Sequence, residues 1–109
     1  MSQFGLTDTE QELIRGVLRR HTEVTEARIF GSRAMDRFQP NSDVDLVLWG
    51  PIPLSMLATI AGELDELPLP YLFDVQVYDA IRHQPLREHI DRVAQRFYTR
   101  SGEPSTARK

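Results

Sequence analysis

Cysteine is absent from this 109-residue chain, which excludes a disulfide scaffold, a thiolate zinc site and a cysteine nucleophile together. Long apolar runs are missing as well, and no stretch approaches the roughly 18 residues of a membrane span. The opening MSQFGLTDTEQ has neither a basic leader nor an apolar segment, so a cytoplasmic protein without a secretory signal is expected. Excess charge of either sign is small: 13 Lys+Arg against 16 Asp+Glu leave a net charge of −3. That balance argues against a chain that coats nucleic acid or an anionic membrane, and direct nucleic-acid binding is not expected. No internal repeat is visible. The length suits one small domain over residues 1–100, and the polar SGEPSTARK, residues 101–109, is expected to be a disordered tail.

What is present alternates between helical and extended patterns. Thr7 and Glu10 have the spacing of a capping box, and Leu13, Ile14, Val17 and Leu18 recur at helical intervals, which predicts a helix over about 8–20. EARIF, residues 26–30, reads as a strand stopped by Gly31, and Asp43 to Leu48 as a second strand closed by Trp49-Gly50-Pro51. Between about 53 and 66, Leu54, Leu57, Ala58, Ala61 and Leu64 predict a helix with that side toward the core, ended by LPLP. YLFDVQVY, residues 71–78, alternates as a half-buried strand, and a last helix over about 84–98 would bury Leu86, Ile90, Val93 and Phe97. The order implies an α/β (α+β) domain, a small sheet with helices packed on it.

The chemistry gathers around the second strand. Side chains two apart on a strand share a face, so Asp43 and Asp45 aim the same way while Val44, Leu46 and Leu48 fill the core. Two anions this close raise each other's proton affinity unless a cation lies between them. Oxygen ligands without histidine or cysteine favour a hard ion such as magnesium, which completes its shell with water and substrate phosphate. Gly31 and Ser32, directly after a strand, could present backbone N–H groups and a hydroxyl to that phosphate, with the forked donors of Arg33 beside them. Asp74 would add a third carboxylate if its strand lies beside the second, enough for two ions roughly 3.5–4 Å apart and for a base. His21, His83 and His89 lack ligand spacing and read as surface or helix-end residues. Asp79 reads as a cap before the last helix, Trp49 and Tyr71 as packing residues, and Arg87, Arg92 and Arg96 as an exposed helix side that could meet an acidic partner.

Gly31-Ser32-Arg33-Ala34 followed by Ser42-Asp43-Val44-Asp45-Leu46 resembles the Gly-Ser, Asp-x-Asp signature of the polymerase-beta-like nucleotidyltransferases. With its small size and Asp74 on a later strand, the chain is similar to the minimal nucleotidyltransferases of the MNT type. The likeness spans about 8–98, and its specific part is 31–46 plus Asp74. It implies the fold of that superfamily, with Asp43, Asp45 and Asp74 as catalytic and metal-binding residues holding two Mg2+ ions. It further implies that Gly31, Ser32, Arg33 and Ser42 bind ATP, with Asp74 as the base. An acceptor hydroxyl would attack the α-phosphate and pyrophosphate would leave. MNT-type members are antitoxins that transfer AMP to a tyrosine of a HEPN ribonuclease toxin, so the implied partner is a HEPN-type toxin. A binding-only antitoxin and nucleotidyl transfer to a small-molecule hydroxyl are the alternatives. One position departs from the pattern: related sequences often read Gly-Ser-Arg-Ala-x-Gly, whereas Asp36 stands here, adding negative charge and lacking glycine's freedom at positive φ.

Overall fold

The capping box forms as the spacing predicts: Glu10 N donates to Thr7 Oγ1 (3.1 Å) and Thr7 N to Glu10 Oε1 (2.9 Å). In the computed structural model, which describes residues 3–100, this cap starts α1 (Asp8–Arg19). There follow β1 (Glu26–Phe30), the single-turn α2 (Gly31–Ala34), β2 (Val44–Trp49), α3 (Leu54–Asp65), β3 (Phe73–Val77), a 3-10 turn (Tyr78–Ala80), α4 (Gln84–Val93) and β4 (Gln95–Thr99). The expected tail at 101–109 lies outside the described residues.

The four strands form one mixed sheet in the order β3-β2-β1-β4. β1 is antiparallel to both β2 and β4, and β2 is parallel to β3. The adjacency that Asp74 required is therefore present. Ile14, Val17 and Leu18 of α1 and Ile60 and Leu64 of α3 join Val44, Leu46 and Leu48 in the larger core. Each of these side chains is fully buried and contributes about 1.5–3 kcal/mol. On the other sheet face Val47 packs with Phe30, Ile81 and Ile90 in a smaller core beneath α4. β2 thus feeds a core on both faces, and its polar position, Asp45, sits at one end of the smaller one.

Two expectations are corrected. The helix predicted to reach residue 98 ends at Val93, and Ala94 turns extended (φ −64, ψ 137) into β4. β4 supplies the hydrogen bonds that the open edge of β1 needs. A register shift pairs Ala27 with Tyr98 but Arg28 with Arg96, so Phe97 is an extra residue and both Phe97 and Tyr98 are buried. Such a bulge erases the two-residue alternation that marks a strand. For α3, the side facing the core is Met56, Leu57, Ile60 and Leu64, whereas Leu54 is 80% exposed and Ala58 is exposed too. Among the described residues no helix is long and apolar enough to cross a membrane.

Candidate active site

β1 delivers the chain to Gly31, whose φ of +72 is a left-handed value that glycine adopts without strain. Phe30 is paired with Asp45 across the sheet, and a Cβ on Gly31 would overlap Asp45 Oδ2. Glycine is thus required twice, by the turn and by the approach of the backbone to the carboxylate. Gly31 N donates to His89 Nε2 (3.2 Å), and the His89 ring stands edge-on to Phe30 at 6.2 Å. His89 is half-buried at the site rather than a surface residue. No spacing rule links it to a glycine 58 positions earlier; only the packing of α4 brings them together.

Asp45 and Asp74 lie directly opposite one another in parallel register, on strands about 4.8 Å apart. Asp43, exposed, precedes β2 by one residue. Burial pushes the Asp45 carboxyl up to about 6, with repulsion from Asp74 and then Asp43 adding to it and Arg33 opposing. Gln76 Nε2 donates to Asp74 Oδ1 (3.1 Å) and so orients that carboxylate; the two-residue spacing on one strand face was the available signal. Among the described residues no group of three or more His, Cys, Asp or Glu side chains converges as a ready-made metal site. The expected three-carboxylate cage is thus replaced by a looser arrangement in which the carboxylates share a repulsive field. The donor set still fits a hard ion, because magnesium needs only one or two carboxylates besides water and phosphate.

Arg33 does not offer its fork to a phosphate. It is 2% exposed, and its Nε, Nη1 and Nη2 donate to the carbonyls of Asp43 (3.2 Å), Phe4 (2.8 Å) and Ser42 (2.7 Å). Its guanidinium lies over the rings of Tyr71 and Phe38, 4.8 and 5.2 Å from their centroids, and the Tyr71 hydroxyl donates to Glu10. Ser42 Oγ accepts from Gln39 N (2.8 Å) and closes its own loop. Of the four residues expected around the nucleotide, Gly31 and Ser32 remain half-buried at the turn, while Arg33 and Ser42 brace its wall.

Asp36 adopts φ +61, the left-handed value its place in the loop calls for. Aspartate tolerates that region better than most residues, and glycine occupies it without strain. Asp36→Gly is expected to stabilise the fold by about 0.5 kcal/mol, the relief of strain less glycine's larger unfolded-state entropy. Thermal melts should show a rise of about 2–4 °C, and titration calorimetry a several-fold gain in nucleotide affinity from the lost negative charge. A lower melting temperature would show that the Asp36 side chain itself holds the loop.

Trp49 stacks on Tyr78 at 5.0 Å, with Arg28 over one ring and Arg87 over the other, so Trp49 packs as anticipated. Arg87 donates to the carbonyls of Tyr78 and Ile81, and Arg96 belongs to β4, so the three arginines do not form one helix side. Asp79 lies in the 3-10 turn, and the N-cap of α4 is His83.

By sequence, residues 12–103 match the polymerase beta nucleotidyltransferase family, while no curated protein matches the chain. Among solved structures, a toxin–antitoxin complex with AMP-PNP superposes with a TM-score of 0.70 at 16% identity, over 85% of this chain and 76% of the other. The complex of a tri-AMPylated Shewanella oneidensis HEPN toxin with its MNT antitoxin gives 0.63 at 14% identity, over 83% and 70%. The toxin–antitoxin pair MntA-HepT gives 0.58 at 15%, over 86% and 74%. At these identities the likeness is one of fold. The family match, by contrast, takes in most of the chain, including the Gly31 turn and all three aspartates, and the chain therefore belongs to the polymerase beta nucleotidyltransferase family.

Proposed function

We propose that this protein is a metal-dependent nucleotidyltransferase that transfers AMP from ATP to a tyrosine hydroxyl of a HEPN-type toxin, and so acts as its antitoxin. The observation that carries this reading is the register that sets Asp45 opposite Asp74 while Gly31 presses its backbone against the Asp45 carboxylate. Support comes from structurally similar proteins, one with AMP-PNP and one beside an AMPylated toxin.

Asp43 and Asp45 would hold the cation. When bound, such an ion offsets the repulsion between the carboxylates and neutralises charge on the transferring phosphate. Gly31 N–H, released from His89, and the Ser32 hydroxyl would seat the triphosphate. Asp74, exposed and oriented by Gln76, would take the proton of the acceptor hydroxyl as its oxygen bonds to the α-phosphorus and pyrophosphate departs. Intact-protein mass spectrometry of a co-expressed toxin partner tests this. AMP-sized increments are expected with wild type and none with an Asp43→Asn, Asp45→Asn double variant. Two features favour a second reading, a binding-only antitoxin: Asp36 adds negative charge, and Arg33 is buried and committed to backbone carbonyls. A partner that is bound and silenced but unmodified would establish it.

A further inference from the structure

Helix α3 is at odds with its position. Residues 54–62, LSMLATIAG, contain no charged side chain, yet Leu54, Ser55, Ala58, Thr59 and Gly62 are exposed, Leu54 to 80%. A surface helix ordinarily carries charge on its outer side, and one that is apolar all round is ordinarily covered. The charges it does have oppose its own dipole. No side chain bonds the N-terminus at Pro53, the first turn holds no acid and the last turn no base. Of the acids at the C-terminal end, where the carbonyl ends are already negative, Glu63 is held by His21 and Arg20, while Asp65 and Glu66 are exposed.

One occupant answers both faults: another α3 running the opposite way. We propose that the chain forms a two-fold dimer through α3, with Ala58 and Thr59 at the axis. In that register residue numbers facing each other sum to about 117, so Leu54 comes opposite Glu63. Asp65 and Glu66 of one copy then reach the segment just before Leu54 of the other, toward which the uncapped N–H groups of α3 point. The two uncharged faces cover each other. A cavity of about 250 Å³ lined by His21, Pro53, Ser55, Met56 and Thr59 opens beside this face. His21 is bonded to Glu63 at 2.8 Å, so the facing Leu54 has this cavity next to it. The 12 residues of α3 span only about 18 Å. That is less contact than a standard interface, so a weak, concentration-dependent dimer is expected.

Sedimentation velocity of the full chain from about 5 to 500 µM should show concentration-dependent dimers. Ser55→Glu is the diagnostic variant. An acid in the first turn favours the isolated helix, so the melting temperature should rise, but it also meets Asp65 and Glu66 of the facing copy, so dimerisation should weaken five-fold or more. A merely structural role for this face cannot give those opposite signs. Because the chain has no cysteine, Ala58→Cys places a single thiol near the axis and should cross-link on oxidation much faster than Thr22→Cys. A wild type that stays monomeric throughout the range, or equal cross-linking at the two positions, overturns the proposal. So does a monomeric chain whose binding to a toxin partner is what Ala58→Arg weakens.

Discussion

Asp45→Asn is expected to abolish nucleotidyl transfer, by about 1000-fold or more, and at the same time to raise the melting temperature of the metal-free protein at pH 7.5. The two effects have one origin. Burial first, then repulsion from Asp74 and Asp43, pushes the Asp45 carboxyl from 3.8 up to about 6. Its folded-state proton affinity therefore exceeds the unfolded one. Stability falls as pH rises from about 4 to 6, because over that window the unfolded chain has released a proton that the folded one still holds. Above about 6 the penalty is complete. Its ceiling is near 3 kcal/mol, and solvent screening at a half-buried group reduces that to about 1 kcal/mol. Asparagine carries no charge, so the variant should melt several degrees higher at pH 7.5 and no higher at pH 4. A divalent cation relieves the same repulsion: adding magnesium should raise the wild-type melting temperature and leave the variant unmoved. Transfer by the wild type should decline at acid pH, and the midpoint of that decline should move lower as magnesium is raised, because cation and proton compete for Asp45. Melts at the two pH values with and without magnesium, beside initial transfer rates, check all of this. A variant less stable than wild type at pH 7.5 would mean that the Asp45 charge holds the fold together.

How much of this was legible in the sequence depends on the range over which each feature is determined. The α1 cap and the turn at Gly31 follow from spacings of a few residues, and these stand. The pairing of β2 with β3 was only a supposition, since strand order is set by packing rather than local pattern, yet its consequence is what brings Asp45 to Asp74. β4 escaped because its bulge buries two consecutive residues, Phe97 and Tyr98, while Leu86, Ile90, Val93 and Phe97 happen to keep helical spacing. The face of α3 was misjudged for a different reason: a helix apolar on both sides fits two orientations equally well. His89 could not be seen at all, since its partner is a backbone N–H supplied by a distant turn. Arg33 was visible as a cation but not as a buried one. Which groups an arginine's five donors serve depends on where carbonyls from three separate segments come to lie.

That last point leads to the largest stability effect expected here. Arg33→Met keeps the long apolar stem and should still cost about 3–5 kcal/mol, a large share of the roughly 5–15 kcal/mol that holds a domain of this size. The guanidinium is the common donor to the carbonyls of Phe4, Ser42 and Asp43, and methionine leaves those acceptors without it at a residue 2% exposed. A carbonyl deprived of its donor in such surroundings costs about 1–3 kcal/mol. Arg33→Lys keeps the charge but replaces a planar fork by one ammonium group, which cannot serve three carbonyls in a row, so an intermediate loss is expected. Urea denaturation of both variants separates a clamp from a phosphate ligand. As a clamp, Arg33 governs the midpoint, and the loss is the same with or without nucleotide. As a ligand it would leave the midpoint near wild type and raise the KM for ATP tenfold or more. The clamp also bears on the chemistry, because Asp43 reaches the site from a loop whose carbonyls Arg33 pins, and because Arg33 is the cation that restrains the proton affinity of Asp45. The Arg33→Met protein that still folds should therefore need a higher pH for the same fractional activity, while Arg33→Lys, which keeps the charge, should not, a difference that loss of stability alone does not produce.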